Sequence, residues 1–247
     1  MKRKSIILAC LLVLCLPGGV LAEKKIPILM YHSIAKFEGK GDKDLYVAPE
    51  DFEKQILYLR EHGFTPLTFE EWDKREKVKK PVFLTFDDGY KNNLKAYDIF
   101  KKLKTDDFTP KGTFFVISDF LGRKNRLSES DLKMLAASGL ISVQSHTATH
   151  PELTKVSDLT AELKGSKEAI EKITNKPVIA LAYPFGSFNQ RVIDETKKVY
   201  DFGLATSINE SGGEDRQYKL SRIFVTGPMT LDEFAKRVDR NRQQASE

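Results

Sequence analysis

Sulfur is nearly absent from this chain. Two cysteines occur in 247 residues, Cys10 and Cys15. Both lie in the first 22, where Lys2, Arg3 and Lys4 precede an apolar run from Ile6 to Leu16 and the small-residue pattern Val20-Leu21-Ala22. That arrangement reads as a secretory signal peptide, 1–22, cleaved after Ala22, and places the mature protein outside the cell, in a periplasm or at the cell envelope. Residues 23–247 then contain no thiol, which excludes disulfides and cysteine catalysis. Cys15 follows the bulky Leu14 and Cys10 leaves a very short apolar stretch, so a lipid-anchored cysteine is not expected either. Long hydrophobic runs are also missing. The leader offers about 11 apolar residues where a bilayer crossing needs roughly 20, so no stable membrane span is expected. Charge of one sign is scarce as well: removing the three leader cations leaves 37 basic against 35 acidic residues, a balance of +2. Without a basic stripe this gives no case for nucleic acid as a partner. With 15 glycines, 10 prolines and no biased repeat, collagen, coiled coil and long disorder are excluded. What remains is one enzyme-sized domain over 23–247, large enough to bury its own core.

Within it, short β-rich runs alternate with helical patterns. Segments 26–31, 81–86, 111–117, 140–144, 178–183, 202–207 and 222–226 are apolar at strand length without strict polar alternation, as strands covered on both faces are. Between them, Phe52, Ile56 and Leu59 share a helical face opened by Pro49 and stopped by Gly63. Leu94, Tyr97, Phe100 and Leu103 form another, as do Leu159, Leu163, Ile170 and Ile173 behind Ser157 or Asp158. Segments 128–137 and 189–200 are further helical candidates. Repeated strand-helix units predict an α/β fold: a single-domain distorted (β/α) barrel of about seven parallel strands, with chemistry at the C-terminal strand ends. Stretches 36–48 and 209–218 are the least regular and read as loops bordering a substrate groove.

Histidine is scarce, with four residues, and two of them form Ser145-His146-Thr147-Ala148-Thr149-His150 directly after an apolar run. Four-residue spacing on one helical turn lets both imidazoles reach a single divalent ion, although the spacing alone also fits surface or capping roles. Thr85-Phe86-Asp87-Asp88-Gly89-Tyr90 ends another strand with two carboxylates. It can be ordinary Asp-Gly turn and cap chemistry. Alternatively, one carboxylate ligates a metal while the other faces water and substrate, which suits metal-assisted hydrolysis. His32 ends the first apolar run and would meet the same rim in a closed barrel, as a proton donor or a solvated or core histidine. His62, in Arg60-Glu61-His62-Gly63, reads as a structural residue at a helix end. Tyr31 and Trp72 are candidates for a sugar site or the core.

These motifs, followed by Ala182-Tyr183-Pro184-Phe185-Gly186, resemble the ordered motifs of polysaccharide deacetylases, carbohydrate esterase family 4 or the NodB-homology domain. The similarity runs from about Ile26 to Thr226, and the opening Ile26-Pro27-Ile28-Leu29-Met30-Tyr31-His32-Ser33 is similar to a secreted subgroup that includes poly-N-acetylglucosamine deacetylases. The resemblance implies Asp88, His146 and His150 as metal ligands and Asp87 as general base. It implies the backbone N–H near Phe185, in the loop with Tyr183, as an oxyanion donor; the same loop can be simply a rigid aromatic turn. The ion it implies is zinc by ligand type, with cobalt, nickel or iron also accepted by two imidazoles and a carboxylate. Two departures stand out. Ala180 occupies the position where many members carry an arginine that orients the base, and no histidine follows His150 to supply the general acid. Arg222 is a candidate substitute for the former, against a structural ion pair, and His32 for the latter. The function implied is a secreted N-deacetylase of N-acetylglucosamine polysaccharide that releases acetate. The alternatives are an O-acetyl xylan esterase and a non-catalytic carbohydrate-binding relative.

Overall fold

The computed structural model describes residues 26–206 and 215–240, together with the backbone of 241–243. The leader with Cys10 and Cys15 and most of the 209–218 loop lie outside the described residues. The strands are β1 (Ile28–Tyr31), β2 (Ser33–Ile34), β3 (Tyr46–Val47), β4 (Thr65–Leu67), β5 (Pro81–Phe86), β6 (Gly112–Val116), β7 (Ile141–Ser145), β8 (Ala180–Ala182), β9 (Phe202–Leu204) and β10 (Ile223–Phe224). The helices are α1 (Pro49–Glu61), α2 (Leu94–Leu103), α3 (Glu129–Ala137), α4 (Ser166–Thr174), α5 (Gln190–Lys197) and α6 (Leu231–Gln243). Seven parallel strands run in the order β10-β1-β5-β6-β7-β8-β9, with β4 beside β5. The sheet curls until the segment before β10 meets β9. Ala205 N–H donates to Leu220 O (2.9 Å), Leu220 N–H to Gly203 O (3.0 Å) and Arg222 N–H to Thr206 O (3.2 Å). All seven expected strands form, most of them trimmed at the ends.

Alternation along each strand explains the two cores. Val82, Leu84 and Phe86 of β5, Phe114 and Val116 of β6, and Ile141 and Val143 of β7 face outward, onto Phe52, Ile56, Phe100, Leu132 and Ile170 of the helices. The alternate residues Phe83, Phe115, Ala180, Ala182, Phe202 and Leu204 face inward and, with Phe69, fill the barrel. Local signals set the helix ends. Pro49 opens α1 and Gly63 stops it at φ +70°, while Ser128 and Asp131 form a reciprocal capping box on α3.

Several expectations need correcting. Of the two roles open to Tyr31 and Trp72 the structure favours the core: Tyr31 is fully buried with its hydroxyl donating to Gln55 Oε1 at 2.9 Å, and the half-buried Trp72 stacks on Phe69 and packs at a tilt against Phe83 and Phe202. Stretch 36–48 is not wholly irregular: it ends in β3, which pairs with β2, and Gly227 N–H donates to Asp44 O at 3.1 Å. Strand β4 and helix α6 were not anticipated. β4 is three residues long and contains Pro66, a weak strand signal. α6 was detectable, since Thr230 Oγ1 accepts Glu233 N–H at 3.2 Å and Phe234 and Val238 are buried four residues apart. No helix among the described residues is long and apolar enough to cross a membrane.

Candidate active site

The inward phase of the barrel strands continues past their C-terminal ends. After Phe83 and Thr85, Asp87 points inward, its N–H still pairing with Tyr31 O at 2.9 Å; after Ser142 and Gln144, so does His146. Beyond these residues the backbone is forced into rare conformations. Asp88 (φ 72°), Thr147 (φ 69°), His150 (φ 62°) and Phe185 (φ 60°) are four of the seven non-glycine described residues at positive φ. Such strain persists only where the surroundings hold it. Here Arg126 donates to Asp88 O at 2.6 Å. Glu162 accepts the N–H groups of Ala148 and Thr149 (3.0 and 2.9 Å) and the Thr149 hydroxyl (2.6 Å). Glu162 sits in a π-helical turn, Ala161–Gly165, just ahead of α4. The two histidines therefore ride on a braced loop, not on the helical turn their spacing suggested.

They converge all the same. Asp88 Oδ1 lies 3.5 Å from both His146 Nε2 and His150 Nε2, and the three candidate ligand atoms all fall within 4.8 Å of one another. A tetrahedral site with bonds of roughly 2.1 Å has an edge of about 3.4 Å, so the donor set fits one divalent ion. Both histidines are also prepared for it. His146 Nδ1 donates to Ala182 O at 2.8 Å, which leaves the Nε2 lone pair facing Asp88. Burial, then the neighbouring His146, pushes the His150 pKa down to about 4, so its imidazole is neutral at pH 7. Among the described residues no other such trio of ligands comes together.

Asp87 is buried beside this trio in a two-pronged grip. Arg222 Nη1 and Nη2 each donate to one carboxylate oxygen at 2.7 Å, and the same guanidinium reaches Thr85 Oγ1 (3.1 Å) and Ala205 O (2.9 Å). Burial by itself would raise the Asp87 pKa, but the Arg222 charge, with His146 and His32, outweighs it and holds the carboxyl well below the usual range. His32 follows Tyr31 opposite Asp87. Burial lowers its pKa, the carboxylates of Asp87 and Asp88 pull it back up, and its buried Nδ1 has no protein partner. Phe185 is 67% exposed with its ring 4.8 Å from that of His150, and the bonds closing its loop, Gly186 N–H to Tyr183 O and Ser187 N–H to Pro184 O, leave the Phe185 N–H out. Tyr183 does not join them. Its ring is fully buried, its hydroxyl donates to Tyr218 O at 3.0 Å and its N–H to Leu204 O, so it is a core residue and not a substrate contact. His62 caps α1, with Nδ1 2.9 Å from Tyr58 O, as a structural residue. Sequence reasoning missed Glu162 and Arg126, because nothing local marks either as a neighbour of the histidine loop or of Asp88.

The family model described as polysaccharide deacetylase matches residues 74–200, the span that carries Asp87, Asp88, His146, His150 and Phe185. The chain belongs to the polysaccharide deacetylase family. It is 31% identical over 219 residues to YxkH of Bacillus subtilis, a relative whose name places it in the same family, covering 85% of this chain and 75% of that one. It is 28% identical over 233 residues to the poly-beta-1,6-N-acetyl-D-glucosamine N-deacetylase of Staphylococcus epidermidis, covering 80% and 78%. The crystal structure of a polysaccharide deacetylase from Bacillus cereus superposes with a TM-score of 0.85 at 46% identity, over 87% of this chain and 69% of that one. Membership in the polysaccharide deacetylase family implies a hydrolase with a carbohydrate substrate, and the fold is the family's (β/α) barrel.

Proposed function

We propose that this protein is a secreted, metal-dependent hydrolase that removes N-acetyl groups from N-acetylglucosamine units of a polysaccharide, with residues 23–247 as the mature catalytic domain. The observation that carries the reading is a carboxylate clamped by a buried arginine immediately beside three converging metal ligands. Asp88, His146 and His150 hold the ion, zinc by ligand type. When bound, it supplies Lewis acidity that makes water a better nucleophile and polarises the acetamide carbonyl.

The rest falls to the protein. Asp87 accepts the proton of the attacking water. Arg222 orients both its oxygens and keeps it ionised, in the place of the arginine missing at Ala180. The low pKa that results makes Asp87 a weak base, so proton transfer relies on positioning and on the acidity of the water. The Phe185 N–H, left out of the bonds that close its loop, is the donor for the oxygen on which charge develops. His32, as imidazolium, protonates the departing nitrogen; burial makes that imidazolium a stronger acid and a scarcer one. This scarcity favours a second reading, an O-acetyl esterase, whose alcohol leaving group needs less help.

The test is acetate release from N-acetylglucosamine oligomers and from acetylated xylan, with and without added zinc or cobalt, beside Asp87→Asn. Metal- and Asp87-dependent release from the glucosamine oligomers is the expected result. Release from xylan alone moves the assignment to the esterase, and release from neither overturns both.

A further inference from the structure

A short basic segment lies against the site, and apart from the one bond from Arg126 to Asp88 O the reaction just described has no use for it. Residues 122–126 read Gly-Arg-Lys-Asn-Arg. None of Arg123, Lys124 and Arg126 is ion-paired with a carboxylate among the described residues, whereas nearby acids are engaged elsewhere: Asp131 pairs with Lys91, and Asp119 accepts the Ser118 hydroxyl at 3.2 Å. Both arginines are also held in place rather than left loose. The Arg126 guanidinium stacks 4.2 Å from the Tyr90 ring centroid and 5.5 Å from that of Phe120, and Arg123 covers Phe120 at 4.1 Å. Arg126 spends one donor on Asp88 O, and its charge is felt at His150 and Tyr90. A guanidinium has five N–H donors, so most of the fork remains for a ligand.

Two ring-stacked guanidiniums and the exposed Lys124 beside them, none ion-paired with a carboxylate and one of them hydrogen-bonded to Asp88 O, form a receptor for an oxyanion. A neutral glycan gains nothing from them, and a glycan already carrying free amines is repelled. We propose that the substrate is an anionic polysaccharide whose carboxylate or phosphodiester, on the reacting sugar or its neighbour, is held by Arg123, Lys124 and Arg126. This deepens the deacetylase reading and rests on it.

The test is binding, measured by titration calorimetry of the purified protein. The probes are neutral chitotetraose, a tetrasaccharide whose alternate sugars bear a lactyl carboxylate, and one bearing a phosphodiester. At low ionic strength at least one anionic probe should bind about tenfold tighter than the neutral one. Which one does so identifies the source of the anion. The preference should vanish at high salt and in Arg123→Ser/Lys124→Ser, which keeps the Arg126 bond to Asp88 O, and should reverse in Arg123→Glu/Lys124→Glu. Equal affinity for all probes, no binding by any, or a preference that survives the double substitution overturns the proposal. Acetate release from all three probes, followed in parallel, reports on the deacetylase reading: release from any of them sustains it whatever the affinities, and release from none overturns it, so one can fail while the other stands.

Discussion

The lower interior of the barrel and its upper rim are built by the same strands in the same alternation, yet they hold opposite chemistry. Below, Phe69, Phe83, Phe115 and Phe202 interlock, with Phe69 5.0 Å from Phe83 and 5.3 Å from Phe202. Four residues after Phe83 on the same face, Asp87 is buried against a guanidinium at 2.7 Å, and the non-glycine positive-φ residues of the barrel's business end gather around it. Burial stabilises the aromatic layer directly. Burial at the rim opposes the charges of Asp87 and Arg222 and is tolerated only because each is the other's partner. The lesson is that the apolar layer acts as a rigid floor on which a strained, charged layer can be held.

This contrast can be broken from either side. The largest effect is expected at the rim. Asp87→Asn should lower kcat about 10²–10⁴-fold while zinc still binds; a variant retaining more than a tenth of the activity would exclude Asp87 as the base. Arg222→Met strands a buried carboxylate and should destabilise the fold by about 3–5 kcal/mol in denaturant titration. Adding Asp87→Asn should recover part of that loss, because the two residues are coupled. In the floor, Phe83→Ala should also lose about 3–5 kcal/mol but leave zinc affinity unchanged. Loss of metal binding there would show that the layers are not separable. Glu162→Gln weakens the brace under the histidine loop and should reduce zinc affinity about 10–100-fold with little change in Tm of the metal-free protein.

The smallest expected effect is in pH dependence. The His150 pKa in the folded state, about 4, lies below its ordinary 6.5, so between those values the unfolded chain binds the proton and the folded one does not. Metal-free stability should therefore fall as pH drops from 6.5 toward 4, and His150→Gln should flatten that slope in thermal melts.

Much of this layout was legible beforehand because strands announce themselves locally. The apolar runs ending in Asp87-Asp88 and in His146 mark both a barrel strand and the end from which chemistry projects. The short strand β4 and the brace at Glu162 were not legible. The first is too brief to outweigh its proline, and the second joins backbone groups 13 and 14 residues away through a π-turn that no pattern signals. Tyr183 misled for a related reason: it sits inside the recognisable motif, but the strand alternation turns its ring into the core.

The seven barrel strands, the close grouping of Asp87-Asp88 and of His146 with His150, and the family were readable from the chain alone, since each depends on residues within a few positions of one another. The meeting of Arg222 with Asp87, 135 residues away, and of Arg126 with Asp88 O exists only in the folded chain. Closing the sheet through Leu220 to Arg222 turns that arginine into the barrel beside Asp87. A buried charge takes whatever partner the closure delivers, and neither residue's neighbours in the chain encode that meeting.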